Sequence, residues 1–303
     1  MLARLALAVV SVVALAPPVT TAGPYAAPAV LPGLSPQTLT VRYAAARHEI
    51  ERAVSTARRV RDRGRARDLS VLLSPGRSFL SFDARGAGRI VEVDGDLAGA
   101  DRIAVVVPGA GNRIGGFDSW KFAGGAARSL YLRTKALDPA ANVAVIAWLG
   151  YDSPAVVSRA AVTAGRAVHA ATDLRGFVRD LKAVNRTAEI GLFCHSYGGV
   201  VCAKAAPGLP VADLALVGSP GTTADRAADL RTPARVWAAR STGDWIRHVP
   251  NIRFLGLGFG RDPISRSFGA TVFDAGSGSH SQYFRPGSRS LRNLSLIALG
   301  QGA

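Results

Sequence analysis

The chain has 303 residues, with Lys+Arg 37 against Asp+Glu 21, a formal net charge of +16 and 48% hydrophobic residues. That apolar content supports a buried core and excludes a disordered chain, and Cys 2 excludes a disulfide scaffold at this length. The charge comes from 33 arginines and only four lysines (Lys121, Lys135, Lys182, Lys204), a bias that a GC-rich coding sequence produces by itself, so no nucleic-acid partner is expected without a supporting motif.

Residues 1–22 have the layout of a cleavable secretory signal peptide. A basic start through Arg4 precedes an uncharged apolar stretch over residues 5–15, then Pro17 and Pro18, and the small Thr20 and Ala22 stand before Gly23. The stretch is shorter than the about 20 residues needed to cross a bilayer core, so a secreted or extracytoplasmic location is expected. Residues 23–36 carry Gly23, Pro24, Pro28, Pro32, Gly33 and Pro36 and read as a linker. Residues 37–68 form an Arg-rich segment, with a helix predicted over 38–68. Val41, Ala45, Ile50, Val54 and Val60 make its apolar stripe, and nine arginines surround them. The plain role is a solvated face packed on the domain; the sharper one is contact with an anionic cell-envelope surface.

Residues 69–303 read as one α/β domain. Strands are predicted over 79–83 and 89–93, joined as an antiparallel hairpin through residues 86–88, and then over 103–107, 142–149, 188–194, 214–217, 235–239 and 271–273. Helices are predicted over 117–137, 157–185, 198–206 and 289–299. Unbroken Val/Ile/Leu strands alternating with helices imply a mostly parallel sheet covered on both faces.

The chemistry falls at strand ends. Cys194-His195-Ser196-Tyr197-Gly198-Gly199 lies between a buried strand and a helix, where a nucleophile elbow must be. The turn crowds the positions two before and two after the serine. Gly198 meets that demand on one side, and Cys194 stands where glycine is usual. A serine hydroxyl needs a base and an orienting acid. His280, in the flexible loop Gly276-Ser277-Gly278-Ser279-His280-Ser281, is the favoured base over His248. His195 is expected to pack or line the site. Asp244, just past a strand, is the favoured acid, with Asp274 and Asp225 as rivals. Two backbone amides must receive an oxyanion: that of Tyr197 and that of Gly109 or Ala110, in the loop Pro108-Gly109-Ala110-Gly111-Asn112.

The same loop offers a competing dinucleotide fingerprint, Gly109-x-Gly111-x-x-x-Gly115, which requires a helix starting at once. No metal-ligand spacing occurs, and no cofactor is expected. Helix and strand axes pack roughly 10 Å apart, too far for an easy disulfide, so Cys194 and Cys202 are expected as two buried thiols. Tyr151 and Asp152 shape the site entrance or a structural turn before Pro154. The apolar run over residues 254–259 borders an acyl pocket or fills the core. No long insertion suggests a lid.

Pro108-Gly109, the run Trp148-Leu149-Gly150-Tyr151-Asp152-Ser153-Pro154, the elbow at His195–Gly199, Asp244 and His280 together resemble the alpha/beta-hydrolase fold, and within it an exported actinobacterial branch of uncharacterised function. The resemblance covers about residues 70–300. It implies a Ser/Asp/His hydrolase, matched at Ser196, Asp244 and His280, and names no substrate. The expected function is an exported esterase or lipase-like serine hydrolase working through an acyl-enzyme on small-molecule or lipid esters. The alternatives are an amidase or peptidase, and a non-catalytic envelope-binding protein on the same scaffold.

Overall fold

The computed structural model describes residues 23–155, 164–249 and 258–302. The expected leader over residues 1–22 lies outside them. The chain enters through α1 (Leu39–Arg59) and α2 (Arg63–Leu72) and turns into the hairpin β1 (Ser78–Asp83) and β2 (Arg89–Asp94). It then alternates through β3 (Arg102–Val107), α3 (Ala123–Leu137), β4 (Val143–Leu149), α4 (Gly165–Val184), β5 (Glu189–His195) and α5 (Tyr197–Ala205). β6 (Asp213–Val217), β7 (Arg235–Ala239), β8 (Thr271–Val272) and α6 (Arg289–Ala298) complete it. The eight strands form one sheet in the order β1-β2-β4-β3-β5-β6-β7-β8. β2 is antiparallel to β1 and β4, and the other neighbours are parallel.

Period-two alternation explains the apolar strands. Ile103, Val105 and Val107 join a layer with α4 and α5, whereas Ala104 and Val106 join the layer of α1, α2, α3 and α6. Because β3, β5, β6 and β7 run parallel, the loops that leave their carboxyl ends gather at one sheet edge.

Three details differ from the sequence expectations. The helix over 38–68 is two helices: Arg61 takes φ 59, outside the helical region, and the Asp62 carboxylate caps α2 by accepting the Arg65 amide at 2.9 Å. The buried stripe of α1 is Ala46, Ile50, Ala53, Val54 and Ala57, while Val41 and Val60 are 57% and 46% exposed. Close packing on the hairpin selects the small residues over the valines. The helix over 117–137 begins only at Ala123, after a chain of tight turns over residues 114–122. Of the helix expected over 157–185, α4 accounts for Gly165–Val184, and residues 156–163 lie outside the described residues.

An ion cluster with Arg77 and Glu92 buried at its centre and Asp118 and Arg128 half-exposed at its rim ties β2 to the α2–β1 turn and α3. Arg77 donates to both Glu92 oxygens at 2.6 and 2.8 Å and to Asp118 at 2.7 Å, and Arg128 reaches Glu92 and Asp94 at 3.3 Å. Burial first, and the neighbouring Glu92 second, push the Asp94 carboxyl up to about 6. The native state therefore holds a proton that the unfolded chain releases near pH ~4. Stability falls as pH rises from there through about 6, and the loss is complete above it. Asp94→Asn is expected to raise Tm by about 2–5 °C at pH 8 and to leave it unchanged at pH ~3.5, as read by thermal melts at both values.

Candidate active site

Ser196 sits at the vertex between β5 and α5 with φ 55 and ψ −124. A non-glycine residue there stores about 1–3 kcal/mol of strain. The surroundings over-determine the turn: the Ser196 amide donates to the Val217 carbonyl at 2.9 Å, and its carbonyl accepts from the Gly199 amide at 2.9 Å. The elbow leaves no room for side chains around it. A Cβ on Gly198 would overlap the Val107 carbonyl oxygen, and one on Gly199 would lie 2.7 Å from Ser219 Oγ.

The expectation of two buried thiols is overturned. Cys194 and Cys202 form a disulfide, with Cα atoms 6.5 Å apart. The generic strand–helix spacing does not apply here. α5 starts directly at the turn, so its second turn has not yet diverged from β5. The bridge therefore ties the last buried residue of the strand to the helix that the serine opens.

His280 completes a continuous polar chain. Its Nε2 lies 2.9 Å from Ser196 Oγ, and its Nδ1 lies 2.8 and 3.0 Å from the two Asp244 oxygens. A carboxylate only accepts, so Nδ1 carries the proton and the Nε2 lone pair faces the serine hydroxyl. Asp244 is fully buried and also accepts from the Tyr283 hydroxyl at 2.6 Å and the Ile246 amide at 2.8 Å. Burial opposes its ionisation, but the hydrogen bonds from His280, Tyr283 and Ile246 outweigh it and hold the carboxyl below its usual range.

One supporting group, Tyr283, is absent from the sequence expectations, and another, His195, has a larger role than expected. Tyr283 is buried, accepts the Ser241 amide at 3.1 Å and donates to Asp244. Its spacing of three from His280 was the available signal, but only the turn closed by the Gln282 amide on the Ser279 carbonyl brings it beneath Asp244. His195 does more than line the site. Burial first, and His280 second, lower its pKa to about 3, so its ring is neutral. Its Nε2–H donates to the His280 carbonyl at 2.7 Å and so anchors the loop. Trp245, 51% exposed, flanks the His280 ring at 4.7 Å between centroids.

The rivals lie elsewhere. His248 accepts from Arg247 on the surface, Asp274 pairs with Arg289 and caps the Gly276 amide, and Asp225 is exposed. Asp152 pairs with Arg89, and Tyr151 is buried rather than at an entrance. Residues 254–257 of the apolar run are outside the described residues. Phe259 is buried and meets the Tyr197 ring edge-on at 5.9 Å.

The loop after β3 lies against the serine. A Cβ on Gly109 would stand 2.7 Å from Ser196 Cβ and 3.2 Å from its Oγ, so only glycine fits beside the hydroxyl. Ala110 follows it, and Tyr197 opens α5 on the other side, its ring anchored where its hydroxyl accepts the Ala167 amide at 3.0 Å. No helix begins at this loop, since α3 starts at Ala123, and the dinucleotide geometry is absent. A hydroxyl aligned on an imidazole with a buried carboxylate behind it can pass its proton inward as the oxygen attacks a carbonyl.

Residues 83–254 match the family model described as alpha/beta hydrolase. Among curated proteins, the chain is 30% identical over 254 residues to the uncharacterised protein Rv2079 of Mycobacterium tuberculosis, covering 72% of this chain and 38% of the relative. It is 36% identical over 166 residues to the uncharacterised protein Rv0963c of the same species, covering 52% of this chain and 62% of the relative. The chain thus spans about two fifths of the length of the first relative and a little under two thirds of the second. Among solved structures, it is similar to a lidless serine hydrolase, XC6422, from Xanthomonas campestris (16% identity, 75% of this chain and 94% of that one, TM-score 0.45). An alpha-beta serine hydrolase homologue from Coxiella burnetii aligns with 14% identity over 76% of this chain and 98% of that one, at TM-score 0.45.

Proposed function

The chain belongs to the alpha/beta hydrolase family, and on that premise we propose that it is an exported serine hydrolase that cleaves carboxylic esters through an acyl-enzyme. The observation that carries this reading is the unbroken chain from Ser196 Oγ through the His280 ring to buried Asp244. Ser196 Oγ attacks the ester carbonyl carbon while its proton moves to His280 Nε2. Asp244 stays ionised and stabilises the imidazolium through Nδ1–H. The carbonyl oxygen becomes an oxyanion facing the amides of Tyr197 and of Gly109 or Ala110. As the C–O bond breaks, His280 returns the proton to the departing alkoxide. Water then repeats the cycle on the acyl-enzyme and frees the acid.

Export is supported by the leader-like residues 1–22 and by the Cys194–Cys202 disulfide, a bond that persists in oxidising compartments. The exposed arginines at the α1–α2 corner (Arg58, Arg59, Arg61, Arg63 and Arg67) extend the proposal to an anionic envelope surface that such an enzyme would meet. The half-exposed Trp245 beside His280 fits small or exposed esters.

The test is covalent labelling. A fluorophosphonate probe is expected to modify one residue, mapped by peptide mass spectrometry to Ser196, and prior reaction with it should abolish release of p-nitrophenol from short p-nitrophenyl esters. Labelling at another residue would overturn Ser196 as the nucleophile, and no labelling at all beside salt-sensitive binding to an anionic polymer would replace this reading with that of a binding protein.

A further inference from the structure

The loop that carries Gly109 and Ala110 is not held by glycine conformation alone. β4 lies beside β3 and runs parallel to it, so the chains leaving both strands emerge side by side. The segment after β4 then ties down the segment after β3. The Tyr151 hydroxyl donates to the Pro108 carbonyl at 2.7 Å, and Ser153 Oγ donates to the Gly109 carbonyl at 2.9 Å. Asn112 Nδ2 gives Gly109 a second donor at 3.2 Å. The bonds also run the other way: Ser153 Oγ accepts the Asn112 amide at 3.1 Å, and the Pro154 carbonyl accepts the Gly111 amide at 2.8 Å. Asn112 is itself fixed, because its Oδ1 accepts the Ala123 amide at the start of α3 at 3.0 Å.

Carbonyl and amide of one trans peptide point in opposite directions. Pinning the Gly109 carbonyl towards Ser153 and Asn112 therefore aims the Ala110 N–H away from them. Pinning the Pro108 carbonyl does the same for the Gly109 N–H. Neither amide donates to any group among the described residues. The Gly109 Cα, meanwhile, stands against the Ser196 side chain. Tyr151 reaches Pro108 because Trp148 folds over Gly150, where a Cβ would lie 2.6 Å from the indole, and stacks on the Tyr151 ring at 5.8 Å.

We infer that Tyr151 and Ser153 are positioning residues for the reaction: their hydroxyls, with Asn112, lock the Pro108–Gly109–Ala110 peptides so that the Ala110 amide is preset to receive the oxyanion. This rests on the serine-hydrolase reading and deepens it. It gives the Trp148–Pro154 run a function that touches neither the nucleophile nor the base. A preset donor is worth more than one that must reorganise as charge develops.

The experiment uses the full chain and measures the rate of fluorophosphonate labelling at Ser196, since the phosphonyl oxygen occupies the same amides as a carboxylic oxyanion. Tyr151→Phe and Ser153→Ala each delete one hydroxyl. Each is expected to slow labelling about tenfold, and the double variant about 100-fold, the scale of a small misplacement at a reacting centre. KM for a short p-nitrophenyl ester should stay within about twofold in each, because only the transition state uses the donor. Ser153→Thr and Ser153→Val have nearly the same shape, a methyl in valine standing where threonine has its hydroxyl, and so separate positioning from packing: threonine should restore the rate and valine should not. Equal rates for those two, or wild-type rates in Tyr151→Phe and Ser153→Ala, overturn the inference while leaving the hydrolase reading intact. An unlabelled wild-type protein overturns the hydrolase reading itself, and this inference with it.

Discussion

Ser196→Ala is expected to lower turnover of a short p-nitrophenyl ester by about 10⁶-fold, the scale seen when a serine nucleophile is deleted from a preorganised site. The alanine keeps Cβ, so the contact with Gly109 is preserved and only Oγ is lost. The elbow itself is held by backbone bonds from Ser196 to Val217 and Gly199, which do not depend on the side chain. Tm is therefore expected to change by no more than about 2 °C. Residual catalysis should come from the amides alone, without a burst of p-nitrophenol. Steady-state rates and a thermal melt on the same preparation check both parts. A variant that keeps even about a tenth of wild-type turnover would mean that a different group makes the covalent bond.

Asp244→Asn is expected to cost about 10⁴-fold in kcat with little change in KM. The side chains are nearly isosteric: the one asparagine oxygen can keep the Ile246 amide, which now binds Oδ1 at 2.8 Å, and the NH₂ that replaces Oδ2 can donate to the Tyr283 oxygen, whose hydroxyl now donates to Oδ2 at 2.6 Å. The loss is therefore chemical. An asparagine NH₂ placed against His280 Nδ1 donates rather than accepts, which moves the ring proton to Nε2 and removes the lone pair that faces Ser196 Oγ at 2.9 Å. The variant also loses the charge that stabilises the imidazolium. A linked effect appears in stability. The Asp244 pKa is depressed in the folded state, so its contribution is present above the unfolded value near pH ~4 and disappears as pH falls through the folded one. Acid titrations of the two proteins, followed by tryptophan fluorescence, should diverge above pH ~4 and converge in strong acid.

The sheet is legible in the sequence because its strands are buried on both faces, which leaves runs such as Ile103–Val107 with no polar break. The hairpin is legible because glycines at 86 and 88 take positive φ at its tip. The Arg-rich segment is harder. Ile50 and Val54 of the expected stripe are buried, but a helix lying flat on a hairpin turns Val41 and Val60 outward and buries the small Ala46, Ala53 and Ala57 in their place. The break at Arg61 leaves no signal at that residue, since arginine has no preference for the left-handed region; the turn is held by the Asp62 amide on the Ala57 carbonyl at 2.9 Å and by the Asp62 cap on α2.

The site divides in the same way. That Ser196, Asp244 and His280 follow strand ends can be read from residue order alone, because strand, turn and helix succeed one another locally and a parallel sheet brings such ends to one edge. Residue order does not determine what surrounds them. Tyr283 beneath Asp244, His195 under the His280 carbonyl, the Cys194–Cys202 bridge and the Tyr151–Ser153 ties to Gly109 all join groups through space. Some of these partners are close along the chain, but their contact depends on how tightly the turns between them close, and others are far apart. Tertiary packing decided these, for a physical reason: periodicity reports which face of an element is buried, whereas the aim of a hydroxyl or a peptide is set by the neighbouring loop that satisfies its hydrogen bonds.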